Sequence, residues 1–132
     1  MLEDAVILDN EVLRGDYRRL RLKAPGICPA TKPGQFVHLR VTRRNDRVLR
    51  RPFSICDVEP DGTLTIVYKV VGGGTELLAD TPVGESCSLL GPLGNPFTLP
   101  APGETAIIVA GGYGAAATWL LARRAPAPPL LL

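Results

Sequence analysis

Long apolar runs, clustered metal-binding side chains and any marked excess of charge are missing from this 132-residue chain. No apolar stretch is long enough to cross a bilayer, and Met1-Leu2-Glu3-Asp4 lacks the basic-then-apolar order of a leader, so a cytoplasmic protein with no membrane partner is expected. The three cysteines, Cys28, Cys56 and Cys87, are odd in number and far apart, with no Cys-x-x-Cys pair. That excludes a disulfide framework and a zinc site, and fits a reducing compartment. His38, the single histidine, has no acidic or cysteine partner in a motif and reads as structural. Neither a Ser/His/Asp arrangement nor a carboxylate pair is recognisable, which leaves hydrolysis without support. A formal charge of +2 is too small to imply nucleic acid. Aromatics are not interleaved with the basic stretch Arg43, Arg44, Arg47, Arg50 and Arg51, whose first three members read as a solvated hairpin tip.

What is abundant is glycine, 14 residues, and proline, 13, which favours short strands joined by turns over a helical bundle. Residues 5–8 are apolar, and in 17–22 Leu20 and Leu22 alternate with arginines as a half-wet strand requires. The turn Pro33-Gly34 precedes a strand at 35–41, and a polar hairpin tip is expected at 42–47. Pro52 cannot donate to a ladder, so the strand around 53–55 is either an edge or interrupted there, leaving nearby backbone free for a ligand. Asp61-Gly62 turns into the best strand, 64–71. Thr75 is expected to cap a short helix over 76–79, and 86–90 forms a sixth strand. The expected fold is therefore mainly β: a six-stranded antiparallel Greek-key barrel over residues 1–99. Beyond the linker Pro100-Ala101-Pro102-Gly103, the continuous apolar run 106–110, the turn Gly111-Gly112-Tyr113-Gly114 and a helix over 115–124 read as the opening of a Rossmann-like α/β domain, incomplete within residues 100–132. Its unaccompanied apolar strand favours self-association, and a homodimer is one expectation. The helix residue Trp119 reads as packing.

Three stretches carry the chemistry. In Arg51-Pro52-Phe53-Ser54, a guanidinium fork suits a pyrophosphate, the proline fixes the backbone direction, and the phenyl ring and hydroxyl can face a flat ring system. A flavin needs that set. Tyr68-Lys69 leads into Gly72-Gly73-Gly74-Thr75, where amides and a hydroxyl at a helix start suit phosphate. Tyr68 and Lys69 point to opposite strand faces, and the sequence leaves open which one covers a ligand. Gly91-Pro92-Leu93-Gly94 is the third stretch. From a different class, a non-catalytic OB-like barrel that binds nucleic acid or protein through its basic hairpin stays open.

Together with Pro33-Gly34-Gln35-Phe36-Val37 and Ile108-Val109-Ala110-Gly111-Gly112-Tyr113-Gly114, these stretches fall in an order and spacing that resembles the ferredoxin reductase superfamily, and within it the electron-transfer subunits of dihydroorotate dehydrogenase. The resemblance implies an FAD-dependent oxidoreductase subunit of pyrimidine biosynthesis. FAD contacts would come from Arg51, Pro52, Phe53, Ser54, Val67, Tyr68, Lys69, Gly74 and Thr75, with NADH received near Gly111, Gly112 and Gly114. Electrons would pass from NADH through FAD and a 2Fe-2S cluster to the dihydroorotate dehydrogenase catalytic subunit. Another NAD(P)H reductase subunit, of sulfite reductase or glutamate synthase type, is the alternative in the same class. Three departures stand out: the family's cluster cysteines are absent, the nicotinamide domain lacks the acidic residue about 20 positions beyond its glycine turn, and Ala117 stands where the family usually has proline. The chain by itself is therefore expected to oxidise NADH poorly.

Overall fold

The computed structural model describes residues 1–41 and 49–132; the expected hairpin tip at 42–47 lies outside them. The long first strand β1 (Leu2–Arg14) pairs antiparallel with β2 (Tyr17–Lys23), which pairs with the later strand β6 (Thr63–Lys69) from Tyr17↔Lys69 to Lys23↔Thr63. On its other side β1 pairs with β7 (Ser86–Leu93), which in turn pairs with β3 (Phe36–Val41). The two remaining strands are short. β4 (Arg51–Ser54) pairs with β3, and β5 (Asp57–Val58) pairs with β6, giving the order β4-β3-β7-β1-β2-β6-β5.

The two ends of that order belong to one continuous segment, so the sheet curls until consecutive residues bridge its edges. The switch falls between neighbours: the Ile55 amide donates to the Gln35 carbonyl at 3.0 Å, and the Cys56 amide donates to the Thr65 carbonyl at 2.9 Å. Counted as one broken strand, β4 and β5 give the six-stranded antiparallel barrel that the sequence suggests.

Alternation decides the interior, because successive strand side chains face opposite sides. Ala5 and Ile7, Leu20 and Leu22, Val37 and Leu39, Leu64, Ile66 and Tyr68, and Cys87 and Leu89 all point inward and are at most 3% exposed. Tyr68 is thus the inward member of the Tyr68-Lys69 pair, and its hydroxyl donates to Asn10 Oδ1 at 3.0 Å. β1 runs well past the apolar residues 5–8 that announced it, since a two-stranded extension with Tyr17 and Arg18 needs only backbone partners.

Helix α1 (Gly73–Ala79) closes one end of the barrel, burying Leu78. It starts before Thr75, which therefore sits in the first turn and not at its cap. After the linker, β8 (Ile107–Ile108) leads to α2 (Tyr113–Arg124), and the tail strand β9 (Leu130–Leu131) pairs parallel with β8. The apolar strand expected to seek a second copy thus pairs with this chain's own tail. α2 packs against the barrel: Leu120 is 2% exposed and joins the core, and the indole N–H of Trp119 donates to Asp57 Oδ2 at 3.3 Å. Arg123 bridges Asp57 and Glu59, and Arg124 donates to the Thr31 carbonyl at 2.9 Å. Trp119, read as packing, does help to dock α2, with its ring nearly half exposed and its N–H on Asp57. Among the described residues no helix is long and apolar enough to cross a membrane.

Candidate functional site

The barrel is closed only where β5 reaches β6, at Asp57↔Thr65 and Val58↔Leu64. Beyond that point the chain leaves β6 to follow β3, and the outer side of β4 and the end of β6 face each other without a ladder. Backbone polar groups along such a seam need water or a ligand as partners. Pro52 enforces the departure, because it cannot donate to a ladder.

The seam opens into a cleft of about 300 Å³ lined by Arg51, Pro52, Phe53, Ser54, Val67, Tyr68, Lys69, Val71, Thr75 and Tyr113. Its floor is aromatic: Phe53 meets Tyr68 edge to face, with centroids 5.9 Å apart and planes at 72°. Tyr68 is held from behind by Asn10, whose own amide donates to the Leu78 carbonyl at 2.8 Å, so the floor is tied to α1. Burial pushes the Tyr68 phenol above its ordinary range, keeping it a neutral donor. Lys69, on the outer face, carries its ammonium 5.7 Å from the centre of the Tyr17 ring.

Arg51 supplies the cation. One Nη donates to the Leu49 carbonyl at 3.2 Å, and the guanidinium lies so close to Gly74 that a methyl group there would overlap it. Glycine at 74 is thus required by the arginine, not by backbone conformation, and the two motifs announced separately in the sequence form one cradle. Thr75 orders the glycine loop. Its hydroxyl accepts from the Val71 amide at 2.9 Å and the Gly72 amide at 3.2 Å, and donates to the Gly72 carbonyl at 2.8 Å. Its one proton and both lone pairs are spent there. A phosphate role for that hydroxyl, suggested by sequence, gives way to a positioning role.

Of the sequence candidates, Arg51 through Ser54, Val67, Tyr68, Lys69 and Thr75 converge on the cleft, and Gly74 supports it from beneath Arg51. Gly111, Gly112 and Gly114 do not line it. Gly111 and Gly112 form the turn into α2, where Gly112 has φ 58° and lies beside the Tyr17 hydroxyl, and Gly114 lies in the first turn of the helix. The stretch Gly91-Pro92-Leu93-Gly94 is also elsewhere, ending β7 with Gly91 against Val37 and Gly94 against the Phe36 ring. Sequence reasoning missed Val71 and Tyr113; the one usable signal was a bulky aromatic placed within a glycine turn. It also missed Asn10, a lone amide on the strand that holds Tyr68.

The residues fit a flavin. A flat aromatic-floored slot adjoins a guanidinium over glycine, and a slot of this size takes a ring system while leaving the rest of a dinucleotide outside. The cysteines do not fit an iron–sulfur cluster. All three lie in the barrel, burial holds the Cys28 and Cys56 thiols at about 11 and Cys87 at about 12, and no metal-holding group of side chains occurs among the described residues.

Barrel topology and seam together define a ferredoxin reductase-like flavin barrel. A solved NADH-dependent reduced ferredoxin-NADP oxidoreductase, 28% identical, superposes with TM-score 0.80 over 90% of this chain and 42% of its own. The ferredoxin reductase of carbazole 1,9a-dioxygenase, at 24% identity, shares the fold with TM-score 0.82 over 99% of this chain and 41% of its own. Residues 4–97 match the oxidoreductase FAD-binding domain, and the chain belongs to that family. Among curated relatives, the dihydroorotate dehydrogenase B (NAD(+)) electron transfer subunit of Desulforamulus reducens is 43% identical over 86% of this chain and 44% of its own length. That of Geobacillus sp. strain WCH70 is 43% identical over 92% of this chain and 49% of its own. The chain thus spans about half the length of the curated relatives it matches.

Proposed function

We propose that this chain is the flavin-carrying part of an NADH-fed electron-transfer subunit, with residues 1–99 holding FAD and residues 100–132 opening the pyridine-nucleotide domain. The observation that carries the reading is the unpaired seam between β4 and β6, which gathers Arg51, Phe53, Ser54, Tyr68 and Lys69 around one slot. Arg51 would bind the pyrophosphate, with Gly74 leaving room for the guanidinium and Thr75 fixing the loop. Phe53 and Tyr68 would support the ring from the barrel side, and Ser54 and the free backbone along the seam would hydrogen-bond its polar edge. FAD supplies the exchange between two-electron and one-electron transfer. Gly111, Gly112 and Gly114 would let NADH approach beside the cleft, and the catalytic subunit of a dihydroorotate dehydrogenase would be the acceptor, as the relatives' names support. Any 2Fe-2S relay must draw its cysteines from outside these 132 residues.

The test is direct. The purified chain should take up FAD with the visible absorbance of oxidised flavin, and Arg51→Ala should lose it. A folded protein that stays colourless when mixed with FAD overturns the reading, and co-purification with a dehydrogenase subunit tests the acceptor.

A further inference from the structure

Tyr113 is a cleft residue whose place there the glycine turn around it does not explain. It begins α2, far along the chain from β4 and β6, yet it lines the same slot as Phe53 and Tyr68 while remaining 60% exposed. The barrel does not hold it there. α2 does, through four fastenings beyond its first residue: Leu120 buried in the core, the Trp119 indole on Asp57, Arg123 on Asp57 and Glu59, and Arg124 on the Thr31 carbonyl. At the near end, Gly112 turns with φ 58°, and a side chain there would press on the Tyr17 hydroxyl. A helix fixed at this many points sets its first residue at the cleft.

A large aromatic ring left facing water at the mouth of an aromatic-floored slot gains partners when a flat ring enters. From that geometry we infer that Tyr113 is the outer wall of the flavin slot: its phenol ring covers the ring face turned away from the barrel, opposite Phe53 and Tyr68. The inference rests on the FAD reading above. It assigns to the short α/β segment a flavin-binding role beside the NADH approach at Gly111, Gly112 and Gly114, and makes Asp57 a positioning residue that acts through α2.

The experiment titrates FAD into the full 132-residue chain and into Tyr113→Phe and Tyr113→Ala, recording the dissociation constant and the emission of the bound flavin. Tyr113→Ala should bind about tenfold more weakly, the order expected for one lost aromatic stack with its buried area. Its bound flavin should emit more strongly, because a phenol quenches an excited flavin by electron transfer. Tyr113→Phe should bind within about twofold of the parent, since the ring remains, but should also emit more strongly. Unchanged affinity in Tyr113→Ala, or an equal loss in both variants, overturns the inference while leaving FAD binding intact. A parent chain that binds no FAD sinks the functional reading first, and this inference with it.

Discussion

Replacing Gly74 by alanine separates stability from binding, because the two consequences have opposite signs. Gly74 lies within the first turn of α1 with no positive φ, so alanine fits its backbone. Glycine inside a helix is less favourable than alanine by up to about 1 kcal/mol, so Gly74→Ala should be neutral or slightly stabilising, raising the thermal midpoint by up to about 4 °C. The added methyl falls on the Arg51 guanidinium, the mobile end of a long side chain, which can swing away at little cost to the fold. What it loses is its seat over the glycine. Hydrogen bonds to a charged group contribute about 1.5–3 kcal/mol, so moving the guanidinium off the pyrophosphate position should weaken FAD binding about 10- to 150-fold. Differential scanning fluorimetry and flavin titration on the same preparation read both effects. A clear fall in the midpoint, or an affinity equal to the parent when Arg51→Ala has lost it, would refute the claim that glycine is there for the arginine.

Thr75→Val keeps the shape but strips the hydroxyl that holds the Val71 and Gly72 amides, and should cost about 2 kcal/mol in urea unfolding, with Thr75→Ser restoring most of it. A valine variant as stable as the parent would show that the loop needs no such tie. The cysteine thiols give a pH dependence. Their native values are raised to about 11 for Cys28 and Cys56 and about 12 for Cys87, above the 9.0 of an exposed thiol. The native state therefore holds these protons more tightly, and the stability from keeping the thiols neutral is complete below pH 9 and is lost as the pH rises through 11 to 12. Urea midpoints should fall more steeply above pH 9 in the parent than in Cys87→Ala, and parallel curves would contradict the assignment. Asp57→Ala removes the carboxylate shared by Trp119 and Arg123, and should speed tryptic cleavage after Arg123 and Arg124 about two- to fivefold, as expected for weakly coupled surface pairs. An unchanged digestion rate would mean that Leu120, Glu59 and the Thr31 carbonyl secure α2 without Asp57.

Local chemistry was legible without coordinates. Leu20 and Leu22 alternating with arginines announced a strand with one wet face, Pro33-Gly34 and Asp61-Gly62 announced turns, and Pro52 announced an edge strand or a break; each rests on dihedral preference, a missing donor or a period of two, properties of neighbouring residues. The start of α1 was misplaced because Thr75 reaches back to amides that precede it, a geometry with no separate sequence signature. The choice between Tyr68 and Lys69 stayed open because alternation separates the faces without saying which is inside.

Sequence by itself determined the inventory: the strands and turns, the guanidinium and the glycines, and the absence of cysteines spaced for a cluster. Tertiary structure alone decided that consecutive residues Ile55 and Cys56 join opposite edges of the sheet, that the seam stays open between β4 and β6, that the tail pairs with β8, and that Tyr113 comes to the cleft. The reason is physical. Propensities act over a few residues, whereas barrel closure and helix docking are settled by ladders and buried contacts between segments far apart in the chain.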